Sequence, residues 1–199
     1  MMAPSRLSST ARTSVSDFVP MSCGAPLEQD YFNRPTLEVT GDLLGKCLCR
    51  KMDGETKRLR ISEVEAYDGP EDKACHAHRG KTARNEVMFG PAGRWYVYLC
   101  YGMHWMLNVV TGPVDFPAAV LLRGCVEVTG PGRLTKALSI DSAQDRQIIS
   151  PDCGLWIEDD GCEVPGIEVR RTPRIGIGYA GKEWVDKPYR FVWEKRESA

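Results

Sequence analysis

Residues 95–111 decide the fold: Trp95-Tyr96-Val97-Tyr98-Leu99-Cys100-Tyr101-Gly102-Met103-His104-Trp105-Met106-Leu107-Asn108-Val109-Val110-Thr111. Two runs rich in aromatic and β-branched residues flank a Gly102-Met103 connection. This pattern predicts a β-hairpin with strands over 94–101 and 105–111. A third run, 118–123, follows a short connection containing Gly112 and Pro113, so three consecutive strands form an antiparallel meander. Upstream, 58–67 is also rich in strand formers, and a period of two places Ile61, Glu63, Glu65 and Tyr67 on one face.

Outward from these strands the chain is mixed. Leu37, Leu43 and Leu44, with Gly45 as a C-cap, predict a helix over 35–44. Residues 68–93 read as loop, broken by Gly69-Pro70 and Gly90-Pro91. Gly130-Pro131-Gly132 opens a helix running to Ile140, with proline near its first turn. Short strands are expected over 161–171, 174–178 and 189–193. The fold class is α+β: a single domain over 25–199, built on a curved antiparallel β-sheet with a protruding β-hairpin and surrounding helices. Residues 1–24 hold six Ser, two Arg and one acid, the composition of a disordered N-terminal tail. The Ser/Arg-rich, acid-poor character also fits a transit peptide.

Composition excludes several classes. In 199 residues the longest apolar run is 95–101, far short of the ~20 residues that span a bilayer. Eight cysteines occur with no C-x-x-C pair and no secretory leader pattern, so buried, reduced thiols in a non-secreted protein are expected rather than a disulfide scaffold. His76 and His78 beside Cys75 lack a second cluster, so no metal site is expected. The formal net charge of -1 speaks against nucleic acid only as an average. Residues 79–94 carry four bases and one acid, and 165–199 carry eight bases and five acids, while acids gather at 63–72.

Chemistry concentrates between Glu63 and Arg123. Trp95, Val97 and Leu99 fit a packed core face, while Tyr96, Tyr98 and Tyr101 suit stacking on a planar ligand. Glu63 reads as a solvated strand residue. Glu65, two residues from Tyr67 and upstream of His76, is placed to activate water. His78 reads as structural. Arg79, Lys81, Arg84 and Arg94 form a basic run suited to phosphates, and Arg133 and Lys136 on the Gly-Pro-Gly helix share that character. A Cys75–His76 nucleophile pair is disfavoured, since neighbours on extended chain point to opposite faces. A non-catalytic DNA-binding protein would use the same aromatic and basic surface without needing Glu65.

An ordered set of motifs carries a resemblance: Glu63-Val64-Glu65-Ala66-Tyr67-Asp68-Gly69-Pro70-Glu71-Asp72, His76, Arg84-Asn85, Met88-Phe89, Tyr96 to Met103, Asn108, Leu121-Leu122-Arg123, Gly130-Pro131-Gly132 and Pro173 to Gly178. From about Leu27 to Phe191 the chain resembles the alkyladenine (3-methyladenine) DNA glycosylase family. The resemblance implies a monofunctional enzyme that initiates base excision repair, without metal or other cofactor. It would flip alkylated purines out of duplex DNA and hydrolyse the N-glycosidic bond with water. The implied substrates are 3-methyladenine and 7-methylguanine. Hypoxanthine and ethenoadenine are neutral lesions that additionally need a proton on the leaving base.

By the same resemblance Glu65 is the general base and Arg123 stands beside the attacking water. Tyr67, His76 and Tyr98 wall the flipped-base pocket, and Asn108 opposes the amino group of normal guanine. Tyr101 fills the gap in the duplex. Lys81, Arg84, Arg133 and Lys136 are the expected backbone contacts. Implied with these are a monomer acting on double-stranded DNA with alkylated or deaminated purines and no membrane association. Such an enzyme would be cytoplasmic or nucleoid-associated in a bacterium and nuclear or organellar in a eukaryote. The chain departs from the family pattern at His104, where an aromatic is expected, and at His78, where a base is expected.

Overall fold

The computed structural model describes residues 23–194, so the expected tail lies outside the described residues except for Cys23 and Gly24. The expected meander is present. Strands β4 (Trp95–Cys100), β5 (His104–Val110) and β6 (Ala118–Cys125) pair antiparallel in order. The hairpin turns through Tyr101 and Gly102, both left-handed with φ of +50° and +68°, and the Met103 N–H closes on the Cys100 carbonyl at 3.0 Å. Glycine takes that conformation freely, whereas Tyr101 takes it at some cost.

Beyond β6 lies β3 (Glu55–Asp68), and the order continues through β2 (Cys47–Met52), β8 (Leu155–Asp159) and β1 (Ala25–Pro26). The first half of β3 pairs with β2. Its second half is flanked by β6 on one side and β10 (Arg190–Trp193) on the other. β9 (Val169–Thr172) pairs with β10, and β7 (Val128–Thr129) with β6. Among the described residues four short helices accompany the sheet: α1 (Gln29–Phe32), α2 (Thr36–Asp42), α3 (Pro131–Ala137) and α4 (Lys182–Asp186). None of the described helices is long and apolar enough to cross a membrane.

The meander sorts its side chains by parity. Trp95, Val97, Leu107, Val109, Val120 and Leu122 enter the main core, together with Phe32, Leu43 and Leu48 from neighbouring elements. Tyr96, Val110 and Ala119 face the other way and pack with Cys75, Val87 and Met88 from the loop segment. Leu99 departs from its expected core role: close to the hairpin tip it is 40 % exposed, because the sheet there extends past the core.

Three expectations are corrected. Ile61 does not share a face with Glu65 and Tyr67: Ile61 is in the main core, and so is Val64. The ladder between β3 and β6 slips there. Ile61 pairs with Cys125, Glu63 with Gly124 and Val64 with Leu122, leaving Ser62 and Arg123 unopposed. A β-bulge of this kind reverses parity, and Glu65 and Tyr67 pass to the face opposite the core. The strand expected over 161–171 is formed only at its end, in β9, after a 3-10 turn at Gly166–Glu168. The strand expected over 174–178 is absent among the described residues. That segment is a loop whose Arg174 is anchored in the interior.

A buried ion pair ties the β2–β3 end to the segment after β8. Arg60 Nη1 and Nη2 donate to the two carboxylate oxygens of Asp160 at 2.6 and 2.7 Å, and Nη1 also reaches the Gly45 carbonyl at 2.7 Å. Both side chains are at most 3 % exposed. Removing one partner strands the other charge. Asp160→Ala is therefore expected to lower unfolding free energy by about 3–5 kcal/mol, measured by urea denaturation. A loss below about 1 kcal/mol, the range of exposed pairs, would contradict the pairing.

Candidate active site

The face opposite the core holds a cavity of about 510 Å³. That volume is within the usual range for small-ligand sites. Tyr96 and Tyr98 come from β4, Met106 and Asn108 from β5, Ala119, Leu121 and Arg123 from β6, and Tyr67 from β3. His76 enters from the loop after β3, and Ile175 from the loop after β9. The meander thus gathers Tyr98, Asn108 and Arg123 from three successive strands, as their sequence positions suggest.

Glu65 sits behind this wall with no exposed surface. Tyr67 Oη donates to its Oε2 at 3.0 Å, and Arg123 Nη1 reaches the same oxygen at 3.3 Å. Oε1 accepts the Ile175 N–H at 2.8 Å. All three partners line the cavity. A carboxylate oxygen has about two acceptor sites, so Oε1 retains capacity for one more donor. Burial raises the Glu65 pKa, against the lowering effects of Arg123, the Ile175 N–H and Tyr67. The result is a carboxylate more basic than an ordinary glutamate, held in a fixed orientation. Burial, followed by the Glu65 charge, keeps the Tyr67 hydroxyl protonated as a donor.

The loop that supplies Ile175 is locked by Arg174. Its guanidinium pairs with Asp72 (Nη2 at 2.8 Å), donates to the Ala66 carbonyl at 2.7 Å, and lies 4.9 Å from the Tyr67 ring centre and 5.2 Å from that of Tyr189. Asp72 also accepts the Asp68 and Ala74 N–H groups. The run Pro173 to Gly178 therefore acts as an anchored loop rather than a strand. Sequence patterning missed this because an isolated arginine carries no periodicity.

His76 Nδ1 and the Tyr96 hydroxyl are 2.8 Å apart, and the His76 ring meets Tyr98 edge-on at 4.6 Å between ring centres. Desolvation by these walls, with the Arg84 charge second, pushes the His76 pKa down to about 4, so the imidazole is neutral at neutral pH. Tyr96 is not an open stacking surface: it is buried against Cys75, Val87 and Met88, and His76 satisfies its hydroxyl. The Asn108 amide nitrogen donates to the Tyr96 carbonyl at 3.0 Å, which fixes the side chain in the cavity wall. Tyr101, at the hairpin tip, is 88 % exposed and stands at the cavity rim.

The basic candidates separate. Arg84 lies over the Tyr98 ring at 4.9 Å and lines the cavity. Lys81 is exposed and pairs with Glu86 at 3.4 Å. Arg133 and Lys136 are exposed on α3, with Arg133 Nη2 donating to Thr129 at 3.0 Å. His78 Nδ1 lies 2.9 Å from the Pro70 carbonyl, as a structural histidine would. Glu63 is not the solvated residue expected: it is ion-paired to both Arg123 and Arg190. Arg190 itself is a participant that sequence patterning missed, since only tertiary pairing brings β10 beside β3. Among the described residues, no group of three His, Cys, Asp or Glu is arranged to hold a metal.

The strands thus assemble a cavity with aromatic walls, a buried carboxylate behind it and an exposed aromatic side chain at its rim. The model of the methylpurine-DNA glycosylase (MPG) family matches residues 30–129 and 126–197. The chain belongs to that family and is a DNA glycosylase, a hydrolase of DNA repair whose substrate is DNA. A protein of Psychrobacter cryohalolentis named "Putative 3-methyladenine DNA glycosylase" is 43% identical over 86% of this chain and 93% of its own length. Proteins of the same name from Methanocella arvoryzae and Anaeromyxobacter dehalogenans are 42% and 45% identical, each over 83% of this chain and over 90% and 81% of their own lengths.

Cys75 supplies no alternative nucleophile. It is buried, its thiol approaches the Pro117 carbonyl, and burial raises its pKa to about 12. Iodoacetamide at neutral pH is expected to label exposed Cys23 and leave Cys75 unmodified in the folded protein, read by peptide mass spectrometry. Fast labelling of Cys75 would contradict this arrangement.

Proposed function

We propose that this protein is a monofunctional glycosylase that flips alkylated purines, 3-methyladenine and 7-methylguanine, out of duplex DNA. It hydrolyses the N-glycosidic bond with a water activated by Glu65. The observation that carries the reading is the buried Glu65 carboxylate, oriented by Arg123, Tyr67 and the Ile175 N–H directly behind an aromatic cavity. A base inside a duplex is out of reach of such a site and has to be extruded. Tyr101 is the wedge that replaces it, projecting from a hairpin tip as the most exposed of the large hydrophobic side chains among the described residues.

The chemistry follows from charge. Alkylation at a ring nitrogen makes the purine cationic and a good leaving group, and aromatic walls favour a cation over neutral bases. The enzyme then supplies an oriented water, a base for its proton, and a negative charge opposite the developing oxocarbenium ion. Glu65 serves the last two needs, and Arg123 holds it in place. Hypoxanthine and ethenoadenine are slower substrates in this reading, because a neutral base leaves only after protonation. Arg84, Lys81, Arg133 and Lys136 contact the DNA backbone, and the protein acts as a monomer.

Glu65→Gln is expected to reduce release of 7-methylguanine and 3-methyladenine from methylated duplex DNA by about 10²–10⁴-fold while binding to damaged DNA persists. Undiminished release would rule out Glu65 as the general base. Activity of the native protein should fall as pH drops through the raised Glu65 pKa, so the acidic limb lies above the ordinary glutamate value of ~4.3. With few basic contacts, log K against log salt should have a slope on the order of -3 to -5, measured by fluorescence anisotropy. A slope near about -10 would reveal a far larger phosphate footprint.

A further inference from the structure

Glu63 takes no part in the reaction proposed above, yet two arginines hold it. Its Oε1 accepts Arg123 Nε at 2.8 Å and Arg190 Nε at 2.7 Å. Arg190 is anchored in turn by Nη1 on Thr172 Oγ1 at 3.2 Å, and its Cα stands opposite that of Glu65 in the β10–β3 ladder. Arg123 therefore bridges two carboxylates. Its Nε meets Glu63 at 2.8 Å and its Nη1 meets Glu65 at 3.3 Å, so the shorter bond goes to the carboxylate outside the reaction. Glu63 and Arg123 both lie where the β3–β6 ladder slips, which is what lets two strand residues out of normal register meet.

A guanidinium is a rigid planar fork, so committing Nε to Glu63 fixes the plane from which Nη1 approaches Glu65. A bidentate Arg123–Glu65 pair would hold Glu65 more strongly in its charged form and make it a weaker base. We propose that Glu63, backed by Arg190, is a positioning residue that divides the Arg123 charge between two carboxylates and so keeps Glu65 basic enough to take a proton from water. The proposal rests on Glu65 being the general base. The groups facing Glu65 are Arg123 from β6, Glu63 and Tyr67 from its own strand, Arg190 from β10, and Arg174 with the Ile175 N–H from the loop after β9. Of these, Glu63 is the one other anion, and Arg190 is the cation that acts on Glu65 through it.

Two substitutions should act in opposite directions. Glu63→Gln removes the competing anion and releases Arg123 to Glu65, so the Glu65 pKa falls. Arg190→Gln leaves Glu63 with Arg123 as its single cationic partner, draws Arg123 away from Glu65, and the Glu65 pKa rises. The experiment is the pH dependence of single-turnover 7-methylguanine release from methylated duplex DNA, corrected for uncatalysed depurination. Folding of each variant is checked by thermal unfolding. Expected is an acidic limb about one pH unit lower in Glu63→Gln, with slower release at neutral pH, and a limb displaced upward in Arg190→Gln. Arg190→Lys should restore most of the native profile.

Limbs that stay in place in folded variants, or that move in the same direction, overturn the proposal. If one variant fails to fold, the direction of the other decides. Glu65→Gln in the same series separates the two assignments. Persistent release by that variant removes the catalytic reading itself, whereas its inactivity alongside unmoved limbs removes the role of Glu63 alone.

Discussion

A carboxylate without exposed surface governs this molecule. Glu65 lies in the strand shared by β6 and β10, and a buried anion survives only if donors reach it from several directions. Those donors come from far apart in the chain: Tyr67 from the same strand, Arg123 from β6 and the Ile175 N–H from the loop after β9. Each donor then needs its own support. Arg123 leans on Glu63, Glu63 on Arg190, and the Ile175 loop on the Arg174–Asp72 pair. The site is thus the interior of a charge network that also joins β3, β6, β10 and two loops.

The same strands perform two tasks because a sheet has two faces. One parity of the β4–β5–β6 meander fills the core and the other lines the cavity, so binding chemistry rests directly on the packed interior. A core rigid on one side limits the movement of side chains on the other, which suits a reaction whose barrier is lowered by preorganised charge. The exception is the hairpin tip. Leu99, Tyr101 and Met103 extend beyond the core and are exposed.

Much of this was legible in the residues. The meander, the hairpin connection expected at Gly102-Met103 and the helix opened by Pro131 follow from local composition and glycine punctuation; all three are present, with the turn one residue earlier, through Tyr101 and Gly102. The family was legible from the ordered motifs. Less legible was everything that depends on partners distant in sequence. Period-two counting put Ile61 with Glu65, and the slipped ladder separates them. Composition made Glu63 a surface residue, and Arg123 and Arg190 hold it half-buried in ion pairs. Alternating apolar residues suggested a strand at 174–178, and the Arg174 anchor makes it a loop. Strands β2 and β8 carry Cys47, Cys49, Leu155 and Ile157 into the core without a pattern that distinguished them from loop.

The sequence by itself determined the class, the family and the kinds of chemistry present, because strand propensity, turn residues and motif order are local properties of the chain. Only the tertiary structure decided how the charges are shared. Whether a carboxylate is a solvated surface group, a base or a support for another residue depends on burial and on which cations lie within about 4–6 Å. Those quantities arise when β10 and the Arg174 loop close on β3, more than a hundred residues downstream of Glu65.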